Sequence, residues 1–213
     1  MNTNPNSNSD LIIDDMKENR KAAKKKRSKK GIIIEVIVYL LIIVFCIHIV
    51  PHYILQRTVV SGESMENTLH NGESLLVNKL SYRFHEPERY DIIVFYPKGR
   101  DVEEYYVKRI YGLPGETIYL KNNSIFVNGE KIDDPYANGA IDESEIELGT
   151  EKKPYTLKED EFYVLGDNRT VSLDSRFLPT GEHGEEAPGA VKKENIAGKV
   201  FLRIWPLNKF GTP

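Results

Sequence analysis

A mainly β domain preceded by one membrane-spanning helix is the fold the sequence predicts, on three observations. Ile32 to Val50 form a predominantly apolar run of 19 residues, which as a helix rising ~1.5 Å per residue matches a hydrocarbon core of about 30 Å. From Arg57 onward, short runs rich in β-branched and aromatic residues recur between turn signals. The only cysteine, Cys46, lies inside the apolar run, so no intramolecular disulfide staples the domain and its core must hold it.

The elements follow in chain order. Residues 1 to 30 carry nine Lys/Arg against four acids, so although the whole chain of 213 residues has net charge -3, the remainder sums to -8. Met1 to Ser9 is Asn/Ser-rich without apolar period and is expected to be disordered. The basic tail suits the cytoplasmic face of a membrane, and the acidic remainder offers no footprint for nucleic acid. No Lys or Arg occurs from Gly31 through Gln56, so the positive-inside rule sets the N-terminus in the cytoplasm and the domain outside. Glu35 lies within a turn of the basic end and can snorkel towards it. A cleavable secretory signal is the rival reading, but its apolar region runs only ~7 to 15 residues before an Ala-x-Ala-like site. Here Arg57, Thr58, Val59 and Val60 follow a longer run. The expected layout is a basic tail over 1–30, an anchor over 31–55 and an extracytoplasmic domain over 56–213.

Within that domain, strands are predicted at Thr58 to Val60, Ser74 to Asn78, Asp91 to Tyr96, Tyr105 to Tyr111, Thr117 to Lys121, Ser124 to Val127, Glu161 to Leu165 and Lys199 to Trp205. Asn122-Asn123 and Asn128-Gly129 are tight reversals. Glu130 to Lys153, acidic and poorly periodic, reads as a surface excursion rather than a strand pair, and Pro179 to Gly189 as a second loop.

Three segments concentrate possible chemistry. Ser61 to Leu69 places Ser64 after a glycine-containing turn, 14 residues beyond Val50. Tyr105 to Glu116 carries Lys108 in a strand where alternation gives it the face of Tyr106 and Ile110. A lysine among apolar neighbours loses hydration of its charged form, so its pKa falls and the neutral amine can serve as a base. Gly166 to Arg176 is a polar loop fed by the apolar run Phe162 to Leu165. Each alone has an ordinary structural explanation, since serines populate turns, lysines populate solvated faces and polar loops are scaffolding. No Gly-x-Ser-x-Gly elbow, phosphate loop or dinucleotide fingerprint is present, and the five histidines form no ligand pattern, so no metal or cofactor is expected.

Taken together, in this order and behind an N-terminal anchor, these segments resemble bacterial type I signal peptidases of the single-anchor, Gram-positive-like form. Ser61 to Leu69 is similar to that family's nucleophile box, Tyr90 to Phe95 to the strand after it, Val107 to Gly115 to its lysine box, Gly166 to Arg176 to its Gly-Asp-Asn-Arg box, and Gly198 through Pro206 to its closing segment. The resemblance implies a membrane-bound serine endopeptidase that removes signal peptides from secretory preproteins, with the bilayer and the translocase as partners. It further implies Ser64 as nucleophile, Lys108 as general base and Ser172 as the hydroxyl orienting the amine. Arg109 would pair with Asp167 and Arg176 with Asp174, while Met65, Leu69 and Val107 would line the pocket for a small residue before the scissile bond.

Gly62 stands where some relatives place a second oxyanion donor, which leaves that donor open. Asn67 replaces the family's usual proline, a less restricted residue in the turn. The alternative is a non-catalytic relative assisting assembly of pili or surface proteins; a binding module has no use for a buried uncharged lysine beside a serine.

Overall fold

In a computed structural model, which describes residues 29–102 and 104–213, the chain divides into two units between His48 and Ile49. Most of the basic tail, residues 1–28, lies outside the described residues. Helix α1 (Lys29–Val44) lies in the first unit, and a wider, π-type helical stretch, Phe45–Ile54, which contains Pro51, follows it across that boundary. Lys29–Pro51 spans 23 residues and is long and apolar enough to cross a membrane. Its large apolar side chains from Ile32 through Ile47 are exposed, the state of a helix apolar all round whose solvent is lipid.

Among the described residues, the second unit has four single-turn 3-10 helices in its loops and is built mainly from eleven strands and one short α-helix. In chain order they are β1 (Leu55–Val59), β2 (Ser74–Asn78), α2 (Ser81–Phe84), β3 (Ile92–Phe95), β4 (Tyr106–Gly112), β5 (Thr117–Lys121), β6 (Ser124–Val127), β7 (Glu130–Lys131), β8 (Tyr155–Thr156), β9 (Glu161–Leu165), β10 (Val191–Lys192) and β11 (Ile196–Trp205). A seven-stranded sheet runs β1-β2-β11-β3-β4-β9-β10, and a four-stranded sheet runs β7-β6-β5-β8. All the strand pairs are antiparallel.

The pattern of β3 explains the layering. Its four residues are all buried, with Ile92 and Val94 in one cluster beside Val60, Met65, Leu69, Leu75 and Val77. Ile93 and Phe95 belong to another, with Ile110, Phe162 and Val164. A strand covered on both faces reads as a continuous apolar run. A third cluster joins Ile118, Leu120, Ile125 and Val127 of the small sheet to Tyr111, Tyr163 and Leu165 of the large one. Between β3 and β2 runs the long β11, which crosses irregularities in register at Ile196/Gly198 and Val200/Leu202. Gly198 is needed there, because a Cβ would lie 2.4 Å from the Asn78 carbonyl.

The two Asn-led reversals have the backbone their residues favour, with φ of 49° and 56° at Asn122 and Asn123, and 52° at Asn128 before Gly129 at 86°. One expectation is corrected. The stretch Glu130 to Lys153 is not merely a surface excursion: Ile141, Ile146 and Leu148 are buried in the third cluster, and Glu130–Lys131 pairs with β6. Acidic side chains pointing out hid an apolar set whose irregular spacing matches neither a helix nor a strand.

Candidate active site

The first site segment is the loop between β1 and β2. Its base is closed where the Val60 N–H donates to the Glu73 carbonyl and the Gly72 N–H to the Val60 carbonyl, both at 2.9 Å. Gly62 adopts φ +97°, a conformation that glycine takes without strain, and its N–H donates to Asn71 Oδ1 at 3.1 Å. The Leu69 N–H donates to the Met65 carbonyl at 2.8 Å, so both apolar side chains turn inward as a buried plug. Despite Asn67 in place of proline, the turn is tied from outside by two bonds. The Asn168 N–H donates to the Ser64 carbonyl at 3.0 Å, and Thr68 Oγ1 donates to Asp167 Oδ2 at 2.6 Å.

Lys108 comes from the middle of β4, in register opposite Ile93 of β3. Its side chain is 4% exposed and its Nζ lies 2.7 Å from Ser64 Oγ as donor, with the Tyr106 ring centroid 5.4 Å away. Among the described residues no carboxylate forms an ion pair with it. Burial therefore dominates and brings its pKa down to about 8, with the Arg176 charge acting the same way and those of Asp174 and Asp167 opposing. When the amine is neutral the same contact works in reverse, the Ser64 hydroxyl donating to the nitrogen lone pair.

Three buried arginines frame this pair, Arg169 and Arg176 from the loop after β9 and Arg109 from β4. Arg109 grips Asp167 bidentately, Nε to Oδ1 at 2.9 Å and Nη2 to Oδ2 at 2.7 Å, and its guanidinium lies 3.6 Å from the Tyr136 ring centroid. Arg176 binds Asp174 through Nε at 2.8 Å and also donates to the Ser172 and Arg169 carbonyls at 2.9 Å. Asp174 Oδ2 in turn accepts the Gly166 N–H at 3.0 Å. Both acid–arginine pairs that the resemblance implied are present in space. A third pair, Arg169 with Asp134 at 2.6 and 3.0 Å, went unassigned in the sequence, because Asp134 sits in the stretch read as a surface excursion. Thr68 and Tyr136 were missed likewise. The Arg in Gly-Asp-Asn-Arg was the one available signal.

Gly166 is the point of closest approach. A Cβ there would stand 2.1 Å from Ser172 Oγ and 2.4 Å from the Ser64 carbonyl, so only glycine lets these two segments meet. Ser172 is buried, and its Oγ finds no hydrogen-bond partner among the described residues.

A cleft of about 790 Å³ opens over the pair, lined by Ser64 and Lys108 together with Val60, Met65, Val107, Val171 and Leu173. Gly62 also lines it. Of the three residues expected in the substrate pocket, Met65 and Val107 line this cleft and Leu69 does not. Leu69 is fully buried in the core, in the same cluster as Met65, which also reaches the cleft wall. Among the described residues no group of His, Cys, Asp and Glu is arranged to hold a metal ion.

Comparison with known proteins places the chain in a family. A family model described as "Signal peptidase, peptidase S26" matches residues 33–205, from within α1 to the last residue of β11. Signal peptidase I of Bacillus caldolyticus is 39% identical over 170 residues, covering 74% of this chain and 84% of that protein. Signal peptidase I of Leptolyngbya laminosa is 35% identical over 165 residues, covering 75% and 73%. Signal peptidase IB of Staphylococcus aureus is 33% identical over 175 residues, covering 77% and 85%. With most of its length matched by the family model and by relatives of this identity, the chain belongs to the signal peptidase family, peptidase S26.

Proposed function

We propose that Ser64 is the nucleophile and Lys108 the general base of this membrane-anchored serine endopeptidase, whose substrates are preproteins bearing signal peptides. One observation carries the assignment: a serine oxygen 2.7 Å from a buried amine whose pKa lies near 8. Ser64 Oγ attacks the scissile carbonyl while its proton passes to Lys108 Nζ. The Lys108 ammonium then protonates the leaving amine, the C–N bond breaks and an ester to Ser64 remains. A water deprotonated by Lys108 hydrolyses that ester and restores the serine.

The Ser64 N–H donates to the developing oxyanion. The Gly62 N–H is committed to Asn71, so it is not the second donor. Ser172 orients the lysine amine, a role supported by its buried hydroxyl, which has no hydrogen-bond partner among the described residues. Met65 and Val107 form the apolar wall that accepts a small side chain before the cut.

Residues 1–30 lie in the cytoplasm, 31–55 form the anchor and 56–213 the outer catalytic domain. The supporting observation is nine basic residues before the helix and none from Gly31 through Gln56. The 14 residues from Val50 to Ser64 tether the nucleophile within reach of the bilayer surface, where preproteins leave the translocase. The test is preprotein cleavage by the full chain in detergent. Ser64→Ala and Lys108→Ala are each expected to abolish cleavage while preserving the thermal unfolding transition. Cleavage retained within about tenfold of wild type by either folded variant contradicts the assignment.

A further inference from the structure

A second cavity, of about 200 Å³, opens where the chain enters the β unit, and its wall is mostly cationic or aromatic, with Ile196 and Ala197 completing it. Lys79, Arg83, Arg100 and Lys193 line it together with Tyr53 and Tyr82. Two of these cations are already engaged. Arg100 donates to the Glu194 and Ile196 carbonyls at 2.5 and 2.8 Å, and Lys193 meets the exposed Glu86 at 2.5 Å. Tyr82 gives its hydroxyl to Asp91, whose other oxygen binds Lys199. Lys79 and Arg83, by contrast, make no side-chain hydrogen bond or ion pair among the described residues.

Two cations unpaired among the described residues, in a concavity whose lining holds no carboxylate, raise a local positive potential and select an anion. Position along the chain says which one. Tyr53 follows Pro51, the last residue of the membrane-length helix, by two residues. The Lys79 N–H also donates to the Ile54 carbonyl at 2.9 Å, which fastens the cavity floor to the first residues after the span. A few residues of chain reach only about 3.5 Å each, so Tyr53 and Ile54 stay at headgroup depth in any membrane the helix crosses.

We propose that this cavity binds the phosphate-bearing headgroup of an anionic lipid, Lys79 and Arg83 supplying the charge and Tyr53 the amphipathic rim. The inference rests on the apolar helix being an anchor, and requires nothing of the catalytic pair.

The full chain, reconstituted in phosphatidylcholine vesicles, is titrated with spin-labelled phosphatidylglycerol and with spin-labelled phosphatidylcholine, the motionally restricted fraction being read by electron paramagnetic resonance. Wild type is expected to hold phosphatidylglycerol at least about fivefold more tightly. Lys79→Glu combined with Arg83→Glu removes the preference, and the milder Arg83→Gln weakens it. Reversing Lys152 and Lys153, exposed cations away from the cavity, leaves it intact. No preference in wild type, a preference that survives the Lys79/Arg83 reversal, or one lost equally on reversing Lys152 and Lys153 overturns the site. Displacement of the labelled lipid by soluble glycerol phosphate at equal concentration overturns the lipid occupant. Because the readout needs no turnover, it stands or falls apart from the peptidase mechanism.

Discussion

Lys108 and Arg109 are consecutive on β4 and almost equally hidden, at 4% and 3% exposure, yet they belong to regions solved by opposite means. Arg109 meets a carboxylate in a bidentate pair whose free lone pairs are further occupied by Thr68. Lys108 meets a serine oxygen and, among the described residues, no carboxylate. A buried cation either acquires a counter-charge or loses its own proton. The arginine, whose charge is effectively permanent, takes the first course, and the lysine takes the second, with its pKa brought to about 8. One region is scaffold and the other is poised to accept a proton, though both come from the same strand.

The largest expected effect separates them by activity. Ser64→Ala should lower preprotein cleavage by about 10⁴-fold or more, with a melting temperature near that of wild type. Next comes stability at the adjacent position. Arg109→Met leaves Asp167 buried without its partner and is expected to cost roughly 3–5 kcal/mol, seen as a melting temperature lowered by about 10 °C. Lys108→Met, equally inactive, should instead leave the domain as stable or more so at neutral pH. It removes a buried amine whose proton is disfavoured by roughly 3 kcal/mol, the equivalent of lowering 10.5 to about 8. If both methionine variants melt alike, the contrast between the two regions fails.

The pH dependence sharpens the point further. The folded chain releases the Lys108 proton near pH 8 and the unfolded chain near 10.5, so the unfolded state binds more protons between them. Wild-type stability should therefore rise with pH across that window and be lower beneath it, and Lys108→Met should remove this contribution. Cleavage, which needs the neutral amine, should rise through an apparent pKa near 8 in kcat/KM. The smallest effect is expected at the edge of the scaffold: Thr68→Val takes one hydrogen bond from Asp167 and should cost about 1 kcal/mol, with cleavage largely kept.

What could be read in the sequence follows from the same physics. Strand β3 announces itself because burial on both faces writes an unbroken apolar run, and the Asn-led turns because few residues accept positive φ. Lys108 was visible as a lysine in an otherwise strand-like alternation, and Ser64 as a serine after a glycine turn, but their contact spans 44 positions of chain and depends on how β1, β2 and β4 are laid together. Strands β7, β8 and β10 have two residues each, too few to show a period. The pairing of Asp134 with Arg169 is likewise a product of tertiary placement, since nothing local distinguishes Asp134 from the exposed acids around it. Leu69 illustrates the converse: the resemblance put it on the substrate pocket, whereas its side chain is fully buried in the core and does not line the cleft.

The protonation state of one amine can be followed without turnover. In the full-length Ser64→Ala protein, with lysines labelled at the side chain, the Lys108 signal is assigned by its disappearance in a variant also carrying Lys108→Met, and its chemical shift is titrated by NMR. A midpoint near pH 8 is the expected result. A midpoint at or above the ordinary lysine value of 10.5 would contradict the neutral base at the centre of this mechanism.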